Sequence, residues 1–303
     1  MKVIVDVNTV RNNIKQNIDS NLFNWIDIRN NFLNIGLDLV EDFLKIDNIG
    51  FVTNNIKDAL RIRNVNKSIP IILLGVDNVD QVYDLIMNNI ILGINDYSLL
   101  NDIKELNIKD NLSIFIQIDI NNYEDGISIK NYKKFKESNN DSIKIVGLYS
   151  IINDKKNQIS DLEELLEEER LSSFAIGIKS PIFTDGFLSY ELLDNALKYQ
   201  VKVGKCIPLK KGDVFVNKKI KNDCYGIKIV NYFEDRDNIN KIVIDNTTYK
   251  IVSSFDNTLY LIGPSAIKNG KKVDITPYIN KNSYINYQVI YNLNGKTINY
   301  TNI

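Results

Sequence analysis

Few residue types in this chain could carry chemistry. Its 303 residues include no histidine and only two cysteines, Cys206 and Cys224. Serine–histidine–aspartate and cysteine–histidine catalysis are therefore excluded, as are histidine-ligated metals and cysteine-rich zinc or iron–sulfur sites. Any acid–base chemistry has to come from lysine, tyrosine, aspartate, glutamate or a bound cofactor, and we expect no metal.

Polar residues that directly follow short apolar runs form the candidate site. In parallel α/β folds, function lies at the carboxyl ends of the strands. Gly177 and Ile178 could present backbone N–H groups to a phosphate there, although a glycine at a strand end is also an ordinary turn residue. Neither GxGxxG nor GxxxxGK[ST] occurs, so no nucleotide-binding loop is indicated. The positions concerned are 29–31, 54, 75–77, 96, 119–122, 150 and 177–179.

The elements that would position these residues alternate along the first half of the chain. Apolar runs predict strands at 24–28, 49–52, 69–76, 90–94, 112–120, 143–149 and 174–178. Amphipathic spacing predicts helices at 37–45, 56–65, 79–88, 98–106, 130–138 and 160–171. This alternation is typical of βαβ units and a parallel sheet, either open and doubly wound or closed as a TIM-like barrel.

The second half of the chain has a different pattern. From about residue 195, short strand-like runs separated by glycine and asparagine turn signals replace the helical periodicity. The sequence therefore predicts an α/β barrel over 1–194 and an antiparallel β domain over 195–303. The opening strand at 2–7 could join that β domain.

Charge and hydropathy restrict the partners and the compartment. The chain has 37 Lys and Arg against 38 Asp and Glu, so we expect no nucleic-acid partner. No apolar stretch approaches the ~20 residues of a membrane helix, and the N-terminus does not resemble a signal peptide. We expect a cytoplasmic protein with reduced thiols at Cys206 and Cys224. The acidic run at 162–170 is interpreted as a solvated helix face.

The order of these elements, together with several motifs, resembles alanine racemase and the fold-type III pyridoxal phosphate enzymes. Residues 5–14 are similar to the family's opening I-D-L-x-A-L-x-x-N. The segment 58–63 matches its E-A-x-x-L-R helix, and 70–75 reads P-I-I-L-L-G against P-I-L-x-L-G. The segments 147–150, 177–178 and 285–289 resemble its G-x-x-[TS]-H, R-x-G-I and I-N-Y-E-[VI] motifs. The resemblance spans nearly the whole chain and implies a barrel followed by a β domain.

The resemblance also implies that the family's catalytic groups are replaced. Arg29 stands where the family has the lysine that forms the aldimine with pyridoxal phosphate, and a guanidinium cannot form a Schiff base. Leu33 and Gly295 stand at its two phosphate-contacting tyrosines. Glu124 replaces the arginine near the substrate carboxylate, and Ala175 replaces the arginine at the pyridine nitrogen.

Some family positions are retained by the same resemblance. Tyr232 matches the catalytic tyrosine of the opposite face, and Asp256 matches the aspartate of the family's M-D pair. Gly177 and Ile178 match its phosphate-binding amides. A tyrosine at the end of a β-domain strand is more often a packing residue than a catalytic one, and this interpretation of Tyr232 is favoured.

The length of the chain between two predicted strands indicates an incomplete barrel. Between the strands that end at Tyr149 and begin near Phe174, the family fits a helix, a strand and a second helix. This chain has room for one helix, since a βαβ crossover takes about a dozen residues. We expect fewer than eight βα units, with the defect between Ile151 and Ser173 and the two flanking strands as neighbours.

Two functions remain open at this point. In the first, the chain is a non-catalytic relative of alanine racemase with a binding, scaffolding or regulatory role and no cofactor. In the second, it is a pyridoxal phosphate-dependent racemase with a re-sited lysine, such as Lys45 or Lys179. The resemblance implies a homodimer in either case.

Overall fold

The computed structural model describes residues 2–29, 37–106, 108, 111–120, 126–139, 142–151, 160–176, 185–188, 196–230, 240–255, 258–276 and 298–301. Two compact units make up the chain. Residues Asn13–Leu192 are called the barrel unit here, and Met1–Asn12 with Leu193–Ile303 are called the β unit.

The described residues of the barrel unit include eight parallel strands. In chain order they are β2 (Asn24–Asp27), β3 (Ile49–Thr53), β4 (Ile71–Leu74), β5 (Ile91–Ile94), β6 (Leu112–Gln117), β7 (Ile143–Ile151), β8 (Ser172–Ile176) and β9 (Gly186–Leu188). They pair in the order β8-β7-β6-β5-β4-β3-β2-β9. The predicted TIM-like parallel barrel is confirmed.

Helices connect the strands of the barrel unit. They are α2 (Ile56–Val65), α3 (Gln81–Met87), α4 (Tyr97–Glu105), α5 (Ile129–Ser138) and α6 (Ser160–Glu169), with a 3-10 helix at Leu37–Phe43. Helix α1 (Val7–Asn17) includes the boundary between the two units. Three of the helices begin where a side chain accepts from the backbone: Asn55 from Lys57 N at 2.9 Å, Asp96 from Ser98 N at 2.7 Å, and Ser128 from Asn131 N at 3.3 Å.

Strand β9 completes the ring without a continuous ladder to β8. The N–H of Asp185, just before β9, donates to Ser173 O at 2.8 Å. This is the backbone hydrogen bond that the described residues show between the two edge strands, so the barrel is nearly closed. Among the described residues, this junction is where the ring is least completely paired.

The position of the expected defect needs correction. Strands β7 and β8 are parallel neighbours connected through α6, as predicted. From the sequence, β8 is the last predicted strand of the barrel, but β9 follows it and pairs with β2. The expectation of fewer than eight strands is wrong, because the described residues place eight strands in this sheet. Strand β9 has three residues, which is too short to give a period-2 pattern in the sequence.

Asp185, at this junction, makes the stability of the folded state depend on pH. Its carboxylate accepts from Trp25 Nε1 at 3.4 Å, and burial raises its pKa above the ordinary value despite this hydrogen bond. The charged form is thus disfavoured in the folded state. Its cost is present above the folded pKa and disappears as the pH falls towards the unfolded value of about 4.

We therefore expect Asp185→Asn to be more stable than the wild type at neutral pH, with the difference closing towards acid. The asparagine oxygen can still accept from Trp25, so the substitution removes mainly the charge. Melting temperatures of both proteins between neutral pH and about pH 4 would check this. A difference that stays constant with pH would contradict it.

The acidic helix α6 packs beside the basic helix α5. Lys136 Nζ lies 2.5 Å from Glu169 Oε1, and Lys133 lies 3.9 Å from Glu168. Burial, together with Glu169, raises the pKa of Tyr132. The acidic run is therefore partly an inter-helix contact. Its other glutamates, at 163, 164 and 167, are exposed as predicted.

The β unit contains an antiparallel sheet, and the predicted C-terminal antiparallel domain is confirmed. Its strands are β1 (Lys2–Asp6), β10 (Leu197–Leu209), β13 (Cys224–Val230), β14 (Lys241–Ile244), β15 (Thr247–Phe255), β16 (Thr258–Gly263), β17 (Lys272–Asp274) and β18 (Ile298–Thr301). They pair in the order β14-β15-β16-β13-β10-β1-β18, with β17 paired to β10, and β1 and β18 are parallel. A separate hairpin joins β11 (Val214–Phe215) to β12 (Lys218–Lys219).

Across the described ranges, no helix is long and apolar enough to cross a membrane.

Candidate functional site

Arg29 lies just beyond the carboxyl end of β2 and is held by Asp27. Its Nε donates to Asp27 Oδ1 at 2.9 Å, and its terminal nitrogen donates to Oδ2 at 2.8 Å. The backbone N–H of Arg29 also donates to Oδ1, at 3.0 Å. The side chain of Asp27 is 1% exposed and that of Arg29 is 27% exposed. The pair is a bidentate, largely buried ion pair, the strongest geometry available to these groups.

Aromatic rings fill the barrel interior below this pair. Trp25 lies two residues before Asp27, and its ring centroid is 5.7 Å from that of Phe115 and 5.9 Å from that of Phe174. Tyr149 stacks on Phe174 with centroids 5.4 Å apart and ring planes 11° apart. Val52, Ile72 and Ile176 complete this buried cluster. The interior at this level is packed side chain.

Two glycines make room for these rings. A Cβ on Gly147 would lie 2.0 Å from Phe115 Cε1, and a Cβ on Gly50 would lie 2.5 Å from Trp25 Cζ3. Each glycine is directly opposite its aromatic residue on the neighbouring strand. The rings therefore occupy space that a side chain would otherwise fill.

A polar groove lies at the carboxyl ends of β3 and β4. Its volume is about 480 Å³, and Lys57, in the first turn of α2, is the cation that lines it. Gly75 has φ of +78°, a conformation that favours glycine. The groove offers amide and carboxylate groups with one ammonium, which suits binding of a small polar ligand. The other polar residues that line it are Asn54, Asn55, Asp77 and Gln81.

Ser150, at the end of β7, is structural in this arrangement. It is fully buried, and its Oγ donates to Ile118 O at 2.7 Å. Its hydroxyl therefore ties β7 to the segment after β6. The N–H of Asp119 donates to Ile127 O at 3.1 Å, which fixes the loop that follows β6.

Most of the other predicted site residues lie outside the described residues. These are Leu33, Glu124, Gly177, Ile178, Lys179, Tyr232, Asp256 and Gly295. The backbone of Ala175 is in β8, and 177–178 follow that strand, which is the seventh of eight. Lys45 is exposed and precedes β3, on the side of the barrel opposite the carboxyl ends of the strands.

Arg29 was identified from the sequence, but Asp27 was missed. The signal was present, because residues 25 and 27 share one face of β2 and Arg29 follows the strand by two residues. A carboxylate two positions before an arginine at a strand end can reach it on the same face. Among the described residues, no cluster of carboxylates and thiols could hold a metal, and Cys206 and Cys224 are free thiols.

Comparisons with known proteins identify the fold. Alanine racemase from E. faecalis is 12% identical over 99% of this chain and 97% of its own, with a TM-score of 0.76. The biosynthetic alanine racemase of Pseudomonas aeruginosa is 12% identical over 99% and 98%, with a TM-score of 0.82. The enzyme of Acinetobacter baumannii is 13% identical over 99% of both chains, with a TM-score of 0.75. No family model and no curated protein matches the sequence. This chain therefore has the fold of the alanine racemases.

Proposed function

We propose that the chain is a divergent, non-catalytic relative of the alanine racemases with a binding, scaffolding or regulatory role in the cytoplasm. The observation that carries this proposal is the ion pair between Arg29 and Asp27. Arg29 stands where the resemblance places the cofactor lysine. Its Nε and a terminal nitrogen both donate to Asp27, so the side chain serves the fold.

The described residues do not fit covalent attachment of pyridoxal phosphate at the end of β2. When bound, that cofactor acts as an electron sink for carbanions and needs a lysine amine to attach. Arg29 stays protonated and offers no free electron pair. Beneath it, Trp25, Phe115 and Phe174 fill the barrel, so the floor is apolar and packed.

We expect no racemisation of L-alanine by the purified protein with added pyridoxal phosphate. Chiral chromatography of the amino acid measures this directly. Arg29→Lys should also be inactive, because Asp27 would hold the new ammonium in its charged form through a buried ion pair. Conversion to D-alanine by either protein would contradict the proposal.

The alternative is a racemase whose lysine lies elsewhere, and one observation supports testing it. Lys57 lines the groove at the strand ends, which adds it to candidates such as Lys45 and Lys179. Borohydride reduction in the presence of pyridoxal phosphate, followed by peptide mass spectrometry, would locate any adduct. A stoichiometric adduct at one of these lysines would favour the alternative. Sparse labelling spread over exposed lysines is the expected result.

We also propose a homodimer, because the resemblance implies one in which the β domain of each copy covers the barrel mouth of the other. In that arrangement Tyr232 of one copy faces the Arg29 region of its partner. Sedimentation at micromolar concentration is expected to give twice the chain mass of 34.8 kDa. A single species at the chain mass would rule the dimer out.

A further inference from the structure

The near-zero net charge of the chain is a sum of two large and opposite charges. The β unit has 19 Lys and Arg against 10 Asp and Glu, a net charge of +9. The barrel unit has 18 against 28, a net charge of −10. We expected no nucleic-acid partner because the total charge is −1. That total is the sum of a basic β unit and an acidic barrel unit. At physiological ionic strength, salt screens exposed charges from one another beyond about 8 Å.

Six lysines of the β unit lie on one face of its sheet. The register pairs Lys241 with Lys250, and Lys250 with Ile262. Farther across the sheet, Lys205 of β10 pairs with Lys228 of β13. At the other edge of β10, Lys202 pairs with Lys272 of β17. Cross-strand partners share a face, so these residues form a diagonal stripe, called the lysine face here. Its members are Lys202, Lys205, Lys228, Lys241, Lys250 and Lys272.

The stripe crosses six adjacent strands, β14, β15, β16, β13, β10 and β17. Strands lie about 4.8 Å apart, so it is about 24 Å long. The opposite face of the sheet is core, since Ile227, Ile229 and Leu261 are fully buried. Five of the six lysines are exposed and Lys228 is half-buried. The stripe therefore faces outward.

Three pairs of these lysines lie directly opposite each other in the ladder. They are Lys241 with Lys250, Lys205 with Lys228, and Lys202 with Lys272. Like charges in such positions destabilise a sheet. Among the described residues none of the six forms an ion pair, and Asp274, at the β17 edge, accepts from Thr276 instead. A bound anion would relieve this repulsion.

Aromatic side chains lie on the same face. Phe255 pairs with Thr258, Thr258 pairs with Val230, and Val230 pairs with Lys202, so Phe255 shares the face of Lys202. The Phe255 side chain is 72% exposed. Tyr260 lies opposite Lys228, in the middle of the stripe. A groove of about 600 Å³ extends one end of the stripe from Lys250 to Lys219 and Lys221.

We propose that the lysine face binds single-stranded nucleic acid. Proteins that bind single strands combine a cationic track for the phosphates with aromatic side chains on which bases stack. Both components are present here, on one outward face, and a stripe of about 24 Å suits the sites of roughly 4–16 nucleotides that a single OB-fold covers. The exposed Phe255 favours unpaired bases, because paired bases present no free ring face. An acidic second copy would use the lysines but not this ring; a lipid surface could use both and is distinguished by the test below.

The test measures fluorescence anisotropy of labelled oligothymidine and oligouridine of about 20 nucleotides with the full chain. If about five phosphates are contacted, affinity should fall roughly 100-fold between about 50 and 200 mM salt. Replacing Lys202, Lys228 and Lys250 together by glutamine should weaken binding at least tenfold and lower the salt slope by about two. Phe255→Ala should weaken binding by about fivefold or more.

The matched control replaces Lys15, Lys67 and Lys144, exposed lysines outside the β unit, by glutamine. It changes the net charge equally and should leave binding unchanged. The lysine-face variant should melt at a higher temperature than the wild type, because it removes one charge from each opposed pair, so lost binding would not reflect misfolding.

Several results would overturn the proposal. They are absence of oligonucleotide binding, equal losses in both triple variants, and an unchanged affinity of Phe255→Ala. Tighter binding to duplex DNA or to phosphatidylserine vesicles would also overturn it. Salt-dependent self-association that only the lysine-face variant loses, without oligonucleotide binding, would instead make this face an interface between copies.

Discussion

Replacing Arg29 by methionine is expected to lower the free energy of unfolding by about 3 kcal/mol. The substitution keeps most of the side-chain volume but removes the two side-chain donors to Asp27, so that the backbone N–H of residue 29 remains as its donor. The carboxylate of Asp27 is 1% exposed and would remain buried with an uncompensated charge. Removing one partner of a buried pair costs more than the pair itself contributes.

A double-mutant cycle separates these two quantities. Asp27→Asn combined with Arg29→Met removes both charges, so we expect the double variant to be more stable than Arg29→Met alone. Urea denaturation of the four proteins measures the coupling. The exposed pair of Lys210 and Asp223 is the matched control, and Lys210→Met should leave the free energy of unfolding nearly unchanged, because solvent screens an exposed pair. If Arg29→Met and Lys210→Met lowered the free energy of unfolding equally, a buried role for Arg29 would be contradicted.

The alternation of strands and helices could be predicted from the sequence because burial on both faces leaves a simple pattern. Runs such as that of β4 are apolar at every position, and all four of its residues are buried or nearly so. The strand β9 could not be found this way. It has three residues, and its place in the barrel is set by pairing with β2 across 160 residues of chain. Local periodicity carries no information on such a contact.

The candidate site was only partly predictable. The resemblance identified Arg29 as the position that matters, since an arginine in place of a lysine changes the available chemistry. Its partner Asp27 escaped notice because a single carboxylate in a strand has many possible roles. The lysine face escaped notice for another reason. Its members come from five strands, and only the sheet register brings them together.

The aromatic packing of the barrel interior leads to the second large effect, at Gly147. A Cβ there would lie 2.0 Å from Phe115 Cε1 and 2.3 Å from its Cζ. The Phe115 ring cannot move aside freely, because it also contacts the rings of Trp25 and Phe174. We expect Gly147→Ala to lower the free energy of unfolding by about 3 kcal/mol, the upper part of the range for overpacked cores.

The control for this prediction is Gly93→Ala. Gly93 pairs with Phe115 from β5, whereas Gly147 pairs with it from β7. A Cβ on Gly93 would lie 2.7 Å from Leu74 Cδ2, the end of a flexible side chain that can change rotamer. Its cost should therefore be smaller, about 1 kcal/mol. Phe115→Leu should recover part of the stability of Gly147→Ala, because the shorter side chain vacates the space that the new methyl group needs. Thermal and urea denaturation of these variants measure both effects. If Gly93→Ala cost as much as Gly147→Ala, or if Phe115→Leu gave no recovery, the rigid aromatic packing inferred for the barrel interior would be wrong.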